Sequence, residues 1–141
     1  MSPHFRFPAL VAFAVASVAA GCSTVESRKV MDLAPFKRIY VVQRLGDDHH
    51  LNEMLVAELQ RHNRDASTGP LTMLPENADA ILTYTARWEW DFKNYLIEVS
   101  LELHTAHTRK KLADGRYYQP TPKPRPPEDV VHDLVDRLLA K

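Results

Sequence analysis

The chain has 141 residues, a single cysteine (Cys22), four glycines and no surplus of charge of either sign. One cysteine excludes an intrachain disulfide and a zinc site built on several thiolates. With so few glycines there is no Gly-rich loop to cradle a phosphate, and no Gly-x-Ser-x-Gly nucleophile turn occurs. The 18 basic and 18 acidic side chains cancel, so the basic excess typical of nucleic-acid binding is missing and no nucleic-acid partner is expected. Internal repeats are absent. Long hydrophobic runs are absent too. The longest, residues 9–20 (ALVAFAVASVAA), has only Ser17 polar. As a helix it would span roughly 18 Å, short of a ~30 Å hydrocarbon core.

What is present begins at that run. Arg6, the apolar stretch and the small residues after it read as a secretory signal peptide over residues 1–21. Ala19-Ala20-Gly21-Cys22 closes it. This tetrad resembles the lipobox of bacterial lipoproteins, with Ala19 where Leu is usual. The resemblance implies cleavage between Gly21 and Cys22, a diacylglyceryl group on the thiol and an acyl chain on the new amino group. No other cofactor is expected. Ser23, in place of the Asp that retains such proteins in the inner membrane, implies the outer membrane, with the domain facing the periplasm. One acyl chain anchors only marginally, whereas two or three on Cys22 hold a protein at a membrane. Losing residues 1–21 removes Arg6 and no acid, so the mature chain carries one net negative charge.

Residues 22–35 are expected to be the lipidated cysteine and a tether, with an N-terminal strand or cap packed on the domain as the alternative because Val30, Met31 and Leu33 are apolar, and residues 36–141 a single domain. FKRIYVVQ (36–43) is rich in β-branched and aromatic residues and predicts a strand. Leu51, Met54, Leu55, Val56 and Leu59 recur at helical spacing, which predicts a helix opened by Asp47 or Asp48 and closing near His62. A short strand is expected around 66–68. ILTYTARWEWDF (81–92) alternates strictly, with Leu82, Tyr84, Ala86, Trp88, Trp90 and Phe92 on one face. YLIEVSLELH (95–104) alternates as well, with Tyr95, Ile97, Val99, Leu101 and Leu103 inward. A two-residue turn at Lys93-Asn94 would pair Trp90 with Ile97 and Tyr84 with Leu103. A third strand covers 112–118, with Gly115 at a bulge. The Pro-rich linker 119–127 holds five of the ten prolines and stays extended. Pro127 suits the first turn of a closing helix with an apolar face of Val130, Val131, Leu134, Val135, Leu138 and Leu139. The order β-α-(β)-β-β-β-α predicts an α+β two-layer sandwich, a mostly antiparallel sheet of four to five strands covered on one face by two helices.

Residues able to carry chemistry are sparse. His49 and His50 lie beside Asp47 and Asp48, and His104 and His107 flank a turn, without the spacing of a metal site. The two-residue turn places Glu89 opposite Glu98, a like-charge pair. Arg87, Glu89, Asp91, Glu98 and Glu102 mark the wet sheet face as a partner surface, and no residue is assigned a catalytic role. Trp88 and Trp90 read as core, or as an apolar wall if the helices leave them open.

The lipobox followed by KRIYVV, Gly69-Pro70, ADAILTY, RWEWDF, YLIEVSLEL and PPEDVVHDLVDRLLAK is similar to small bacterial envelope lipoproteins. The element order is also similar to LptE-like lipoproteins and to the amino-terminal domain of TolB. That resemblance implies a non-enzymatic binding or assembly module, anchored in the membrane by lipid and working with another envelope protein or component. A carrier for an apolar ligand and a metal-binding protein are the other two expectations.

Overall fold

The computed structural model describes residues 23–120 and 125–141. Residues 1–22, with the expected signal peptide and the expected Gly21–Cys22 cleavage junction, and residues 121–124 of the Pro-rich linker lie outside the described residues. The elements in order are β1 (Thr24–Lys29), β2 (Arg38–Val42), α1 (Leu51–Arg61), β3 (Asp65–Gly69), a 3₁₀ turn (Leu71–Met73), β4 (Ala80–Trp90), β5 (Asn94–Thr105), β6 (Lys111–Tyr118) and α2 (Pro127–Leu139). The strands form one six-stranded sheet in the order β1-β6-β5-β4-β2-β3. The expected α+β two-layer fold is present. The sheet is larger than expected and mixed, because β2 runs parallel to both β3 and β4 while the other pairs are antiparallel.

Both helices lie on one face. Leu51, Leu55 and Leu59 from α1 and Val130, Val131, Leu134, Val135 and Leu138 from α2 are buried against Ile39, Val41, Leu82, Tyr84, Val99, Leu101 and Leu103 of the sheet. A smaller cluster on the other face, Tyr40, Ala78, Ile81 and Ala106, sits under the loop that follows the 3₁₀ turn. Asp47 opens α1 from a distance: its carboxylate accepts the His49 and Asn52 N–H groups at 3.3 and 3.4 Å, while His50 takes the N-cap position at φ 56°.

Three expectations are corrected. The first is the tether. Residues 24–29 are strand β1, paired antiparallel with β6. Without β1, the outer edge of β6 would present a row of unpaired backbone groups. The side-chain hydroxyl of Ser27 donates to the Arg137 carbonyl at 3.2 Å, and Arg137 donates to the Val25 carbonyl at 3.0 Å. These bonds pin the strand to α2.

The second is the hairpin register. Tyr84 faces Leu101 and Arg87 faces Glu98. A slip of two residues keeps every inward side chain inward, so alternation alone does not choose between the two registers. The loop is Asp91-Phe92-Lys93, with Phe92 at φ 59°. A bulge follows Arg87, leaving Ile97 as the extra residue and pairing Trp88 with Leu96. The bulge changes the phase, so Leu96 rather than Tyr95 enters the main core.

The third is Gly115. It pairs in register with Leu101 and Ser27, and the bulge in this ladder falls at Leu103/His104 instead. A Cβ on Gly115 would meet Leu134 at 3.5 Å, because α2 packs directly over it.

Candidate functional site

The face of β4, β5, β6 and β1 turned away from the helices is open. The register sets its side chains in rows, with Arg87, Glu98 and Tyr118 in one and Thr83, Glu102, Asp114 and Arg28 in the next but one. Two charge chains result. Arg116 bonds Glu98 at 2.6 Å, and Arg87 reaches Glu98 at 3.4 Å and Glu89 at 3.9 Å. Lys111 joins Glu102 at 3.3 Å to Asp114 at 3.1 Å, and Arg28 closes on Asp114 at 3.0 Å. The expected Glu89–Glu98 clash does not occur, since the corrected register puts Arg87 there. The Arg116 guanidinium holds the Glu98 carboxyl below its usual range, against the pull of burial. Burial pushes Asp114 up, but Lys111 and Arg28 together outweigh it and hold the carboxyl down. Lys111 is raised in turn, chiefly by its bond to Asp114.

Of the five residues expected to form a partner surface, Arg87, Glu89, Glu98 and Glu102 therefore share this face, woven among Arg28, Lys111, Asp114 and Arg116. Asp91 does not. It belongs to the hairpin loop, where its N–H bonds the Lys93 carbonyl at 3.1 Å. The charges on the face alternate in sign. A surface of this kind recognises a partner by matching charge geometry rather than by bulk attraction.

The histidine pairs are far apart. His49 and His50 lie beside the β4–β5 hairpin, at the C-terminal end of β2, and His104 and His107 lie at the β5–β6 turn at the opposite end of the strands. His49 stacks on Trp88 at 3.7 Å. Among the described residues no group of three or more His, Cys, Asp or Glu is placed to hold a metal ion.

The expectation that Trp88 and Trp90 are core holds for Trp88 only at the core's margin and fails for Trp90. Trp88 is half-buried under His49, and Trp90 projects beyond the helices with 69% of its surface exposed. The hollow beside Trp88 holds only about 120 Å³, lined by Arg44, Leu45, Asp47, His49 and Tyr84. There the Tyr84 hydroxyl donates to Asp47 at 2.5 Å and accepts the Arg44 N–H at 3.5 Å. Burial, and then Asp47, push that hydroxyl well above its ordinary range, so it keeps its proton and acts as a structural donor. A roomier cleft of about 660 Å³ lies elsewhere, between residues 29–34 and the end of α2.

Two polar clips escaped sequence reasoning. Asp79 accepts the Lys37 and Arg38 N–H groups at 3.0 and 2.8 Å and the Arg38 guanidinium at 2.7 Å. Its pKa is lowered, mainly by that guanidinium. Glu58, 5% exposed, joins the helices through His132 at 2.8 Å, with Arg61 at 3.2 Å and His62 at 3.5 Å. A polar residue on the inner stripe of α1 is the signal for the second clip. No local signal marks the first.

The fold and face together define a two-layer α+β domain with one helix-covered and one open, charge-laced sheet face. No family model matches this chain, and no curated protein matches it. Solved structures do. The PelC dodecamer from Paraburkholderia phytofirmans is similar at 15% identity and TM-score 0.64, over 85% of this chain and all (100%) of that one. Its L103M variant matches at 15% identity and TM-score 0.63, over 84% of this chain and 96% of that one. A minor lipoprotein from Acinetobacter baumannii is a slighter likeness, at 16% identity and TM-score 0.37 over 72% of this chain and 87% of that one. The chain shares the PelC fold.

Proposed function

We propose that this protein is a lipid-anchored, non-catalytic assembly module of the bacterial cell envelope, held through Cys22 at the periplasmic side of the outer membrane. The open face of β4–β5–β6–β1 is its contact surface. The observation that carries this reading is the uncovered sheet face with its paired rows of charge, on a domain whose other face is sealed by helices. The PelC structure of the same fold is described as a dodecamer, which makes further copies of this chain the first partner to test. The test is photo-crosslinking in cells from Thr85, Glu98 and Glu102 in the lipidated protein. The expected result is capture of one protein, or of the chain itself, from all three positions. A protein that stays anchored but yields no specific adduct refutes the reading.

The carrier reading keeps one supporting observation, the cleft of about 660 Å³ with Val30, Met31, Leu33 and Leu139 in its lining. Extraction of bound lipid from purified protein, followed by mass spectrometry, tests it.

A further inference from the structure

The β1 pairing has a consequence for the end of the sheet nearest Cys22. Thr24 pairs with Tyr118, Tyr118 with Glu98, and Glu98 with Arg87. These four residues form one row across the sheet. β1 is antiparallel to β6, β6 to β5, and β5 to β4. The chain leading back from Thr24 to Ser23 therefore leaves the row on the side where β4 runs forward to Trp90 and the hairpin loop. Cys22 is two residues from the row, at most about 7 Å of chain. Trp90 is three residues beyond it, about 10 Å along the strand. Three strand spacings, about 14 Å, separate Thr24 from β4 laterally.

That end is apolar in an unusual way. Phe92 is 91% exposed, Trp90 projects beside it with ring centroids 6.1 Å apart, and Leu45 is fully exposed on the loop flanking Trp88. Single exposed apolar residues are ordinary on a protein surface, but two aromatics and a leucine at one end are not. Phe92 also occupies a left-handed backbone position, φ 59°, where Gly or Asn would be accommodated with less strain. A bulky, exposed residue in a strained turn points to a role for its side chain. The tip also carries Glu89, Asp91 and Lys93, charges that suit the headgroup layer and not the hydrocarbon. Trp and other aromatic rings favour that layer.

We infer that the β4–β5 hairpin tip, Trp90 and Phe92, together with Leu45 on the loop flanking Trp88, seats in the interfacial layer of the lipid bilayer that Cys22 is anchored to. The orientation rests on the anchored reading above, while the apolar tip does not.

The experiment uses the full lipidated protein in phosphatidylethanolamine–phosphatidylglycerol vesicles whose acyl chains carry bromine at graded depths. Trp88 and Trp90 are the chain's two tryptophans, so Trp88→Phe leaves Trp90 as the sole reporter and Trp90→Phe leaves Trp88. Mass spectrometry on the same sample reports the acyl chains on Cys22. The expected result is strong quenching of Trp90 by the shallowest bromines, with Trp88 quenched several-fold less. If Cys22 is acylated and Trp90 is unquenched, the tip inference fails and the anchor stands. If Cys22 carries no lipid but Trp90 is quenched, the tip stands and the anchor fails. A Trp90 untouched by brominated lipid yet shielded from aqueous acrylamide overturns the inference in favour of a protein contact.

Discussion

Removing one oxygen tests how the loop over Trp88 is held. Tyr84 lies in the core with its hydroxyl 2.5 Å from Asp47. Tyr84→Phe keeps the ring and deletes the donor. Asp47 is left with the N–H groups of His49 and Asn52 at 3.3 and 3.4 Å, and the Arg44 N–H loses its acceptor. A hydrogen bond to a charged acceptor contributes about 1.5–3 kcal/mol. For a domain of this size each kcal/mol moves Tm by about 4 °C, so the melt should fall by about 6–12 °C. Thermal and urea unfolding of Tyr84→Phe, Asp47→Asn and the double variant give a coupling energy that isolates the pair. A loss under about 0.5 kcal/mol in Tyr84→Phe, with no coupling, would refute the idea that this bond fixes the loop. The hydroxyl's pKa is raised by burial and by Asp47. Its contribution is thus complete below the ordinary phenol range near ~10 and lost only as pH climbs towards the higher folded value. The stability gap between the wild-type protein and Tyr84→Phe should therefore hold constant through neutral pH and narrow only in strong alkali.

Three further outcomes follow from the same contacts. The bond to Glu58 raises His132, so the clip between α1 and α2 is at full strength below about pH 6.5 and is lost as pH rises through the higher folded value. Urea midpoints of the wild-type protein should exceed those of His132→Gln at about pH 5.5 and converge with them in mild alkali. The Arg38 guanidinium lowers Asp79, so its contribution is present above the ordinary carboxylate range near ~4 and is lost as pH falls through the depressed folded value. Acid unfolding curves of Asp79→Asn should accordingly show a smaller stability drop than the wild-type protein over that range. Leu134 is fully buried in the main core against the sheet, and Leu134→Ala should cost about 2–5 kcal/mol in chemical denaturation.

Periodicity made most of the fold legible. β4 and β5 alternate, and α1 and α2 carry apolar stripes, because each has one buried side. What stayed hidden depends on neighbours distant in sequence. β1 reads TVESRK, with Val25 alone facing the core, and an edge strand exposed on most sides carries almost no pattern. The two-residue register slip leaves every face unchanged, so only the three-residue loop and the bulge after Arg87 decide it. The same slip converts Glu89 opposite Glu98 into Arg87 opposite Glu98. Four of the five residues marked for the partner surface were therefore legible as a face, and Arg87 and Arg116 as candidates to neutralise it, but the pairing of each with Glu98 was not. Trp90 keeps its place in the alternation and still ends up in solvent, because pattern shows a direction and not how far the helices reach.

The docking of β1 would also join the proposed anchor to the proposed contact surface. A free tether of thirteen residues would let the domain tumble up to ~43 Å from the bilayer. With Thr24 already in the sheet and Cys22 acylated, only Ser23 separates the lipidated residue from a rigid element. On the proposed anchoring the strands would rise from the membrane, with the hairpin tip down and the β5–β6 turn away from it. In that posture the open face of β4–β5–β6–β1 stands on edge to the bilayer and looks along it. Its charge rows would then face neighbours confined to the same plane, where membrane confinement raises effective concentration. On that reading a weak, charge-matched contact would be enough for assembly. Glu98→Lys puts a third cation between Arg87 and Arg116 on that face. It should lower the melting temperature by a few degrees while leaving the domain folded, since partly buried Glu98 loses its pairs with both arginines and like charges then stand opposite one another, and it should abolish crosslinks from Thr85 and Glu102. Intact crosslinking in that variant would mean that the contact lies elsewhere on the domain.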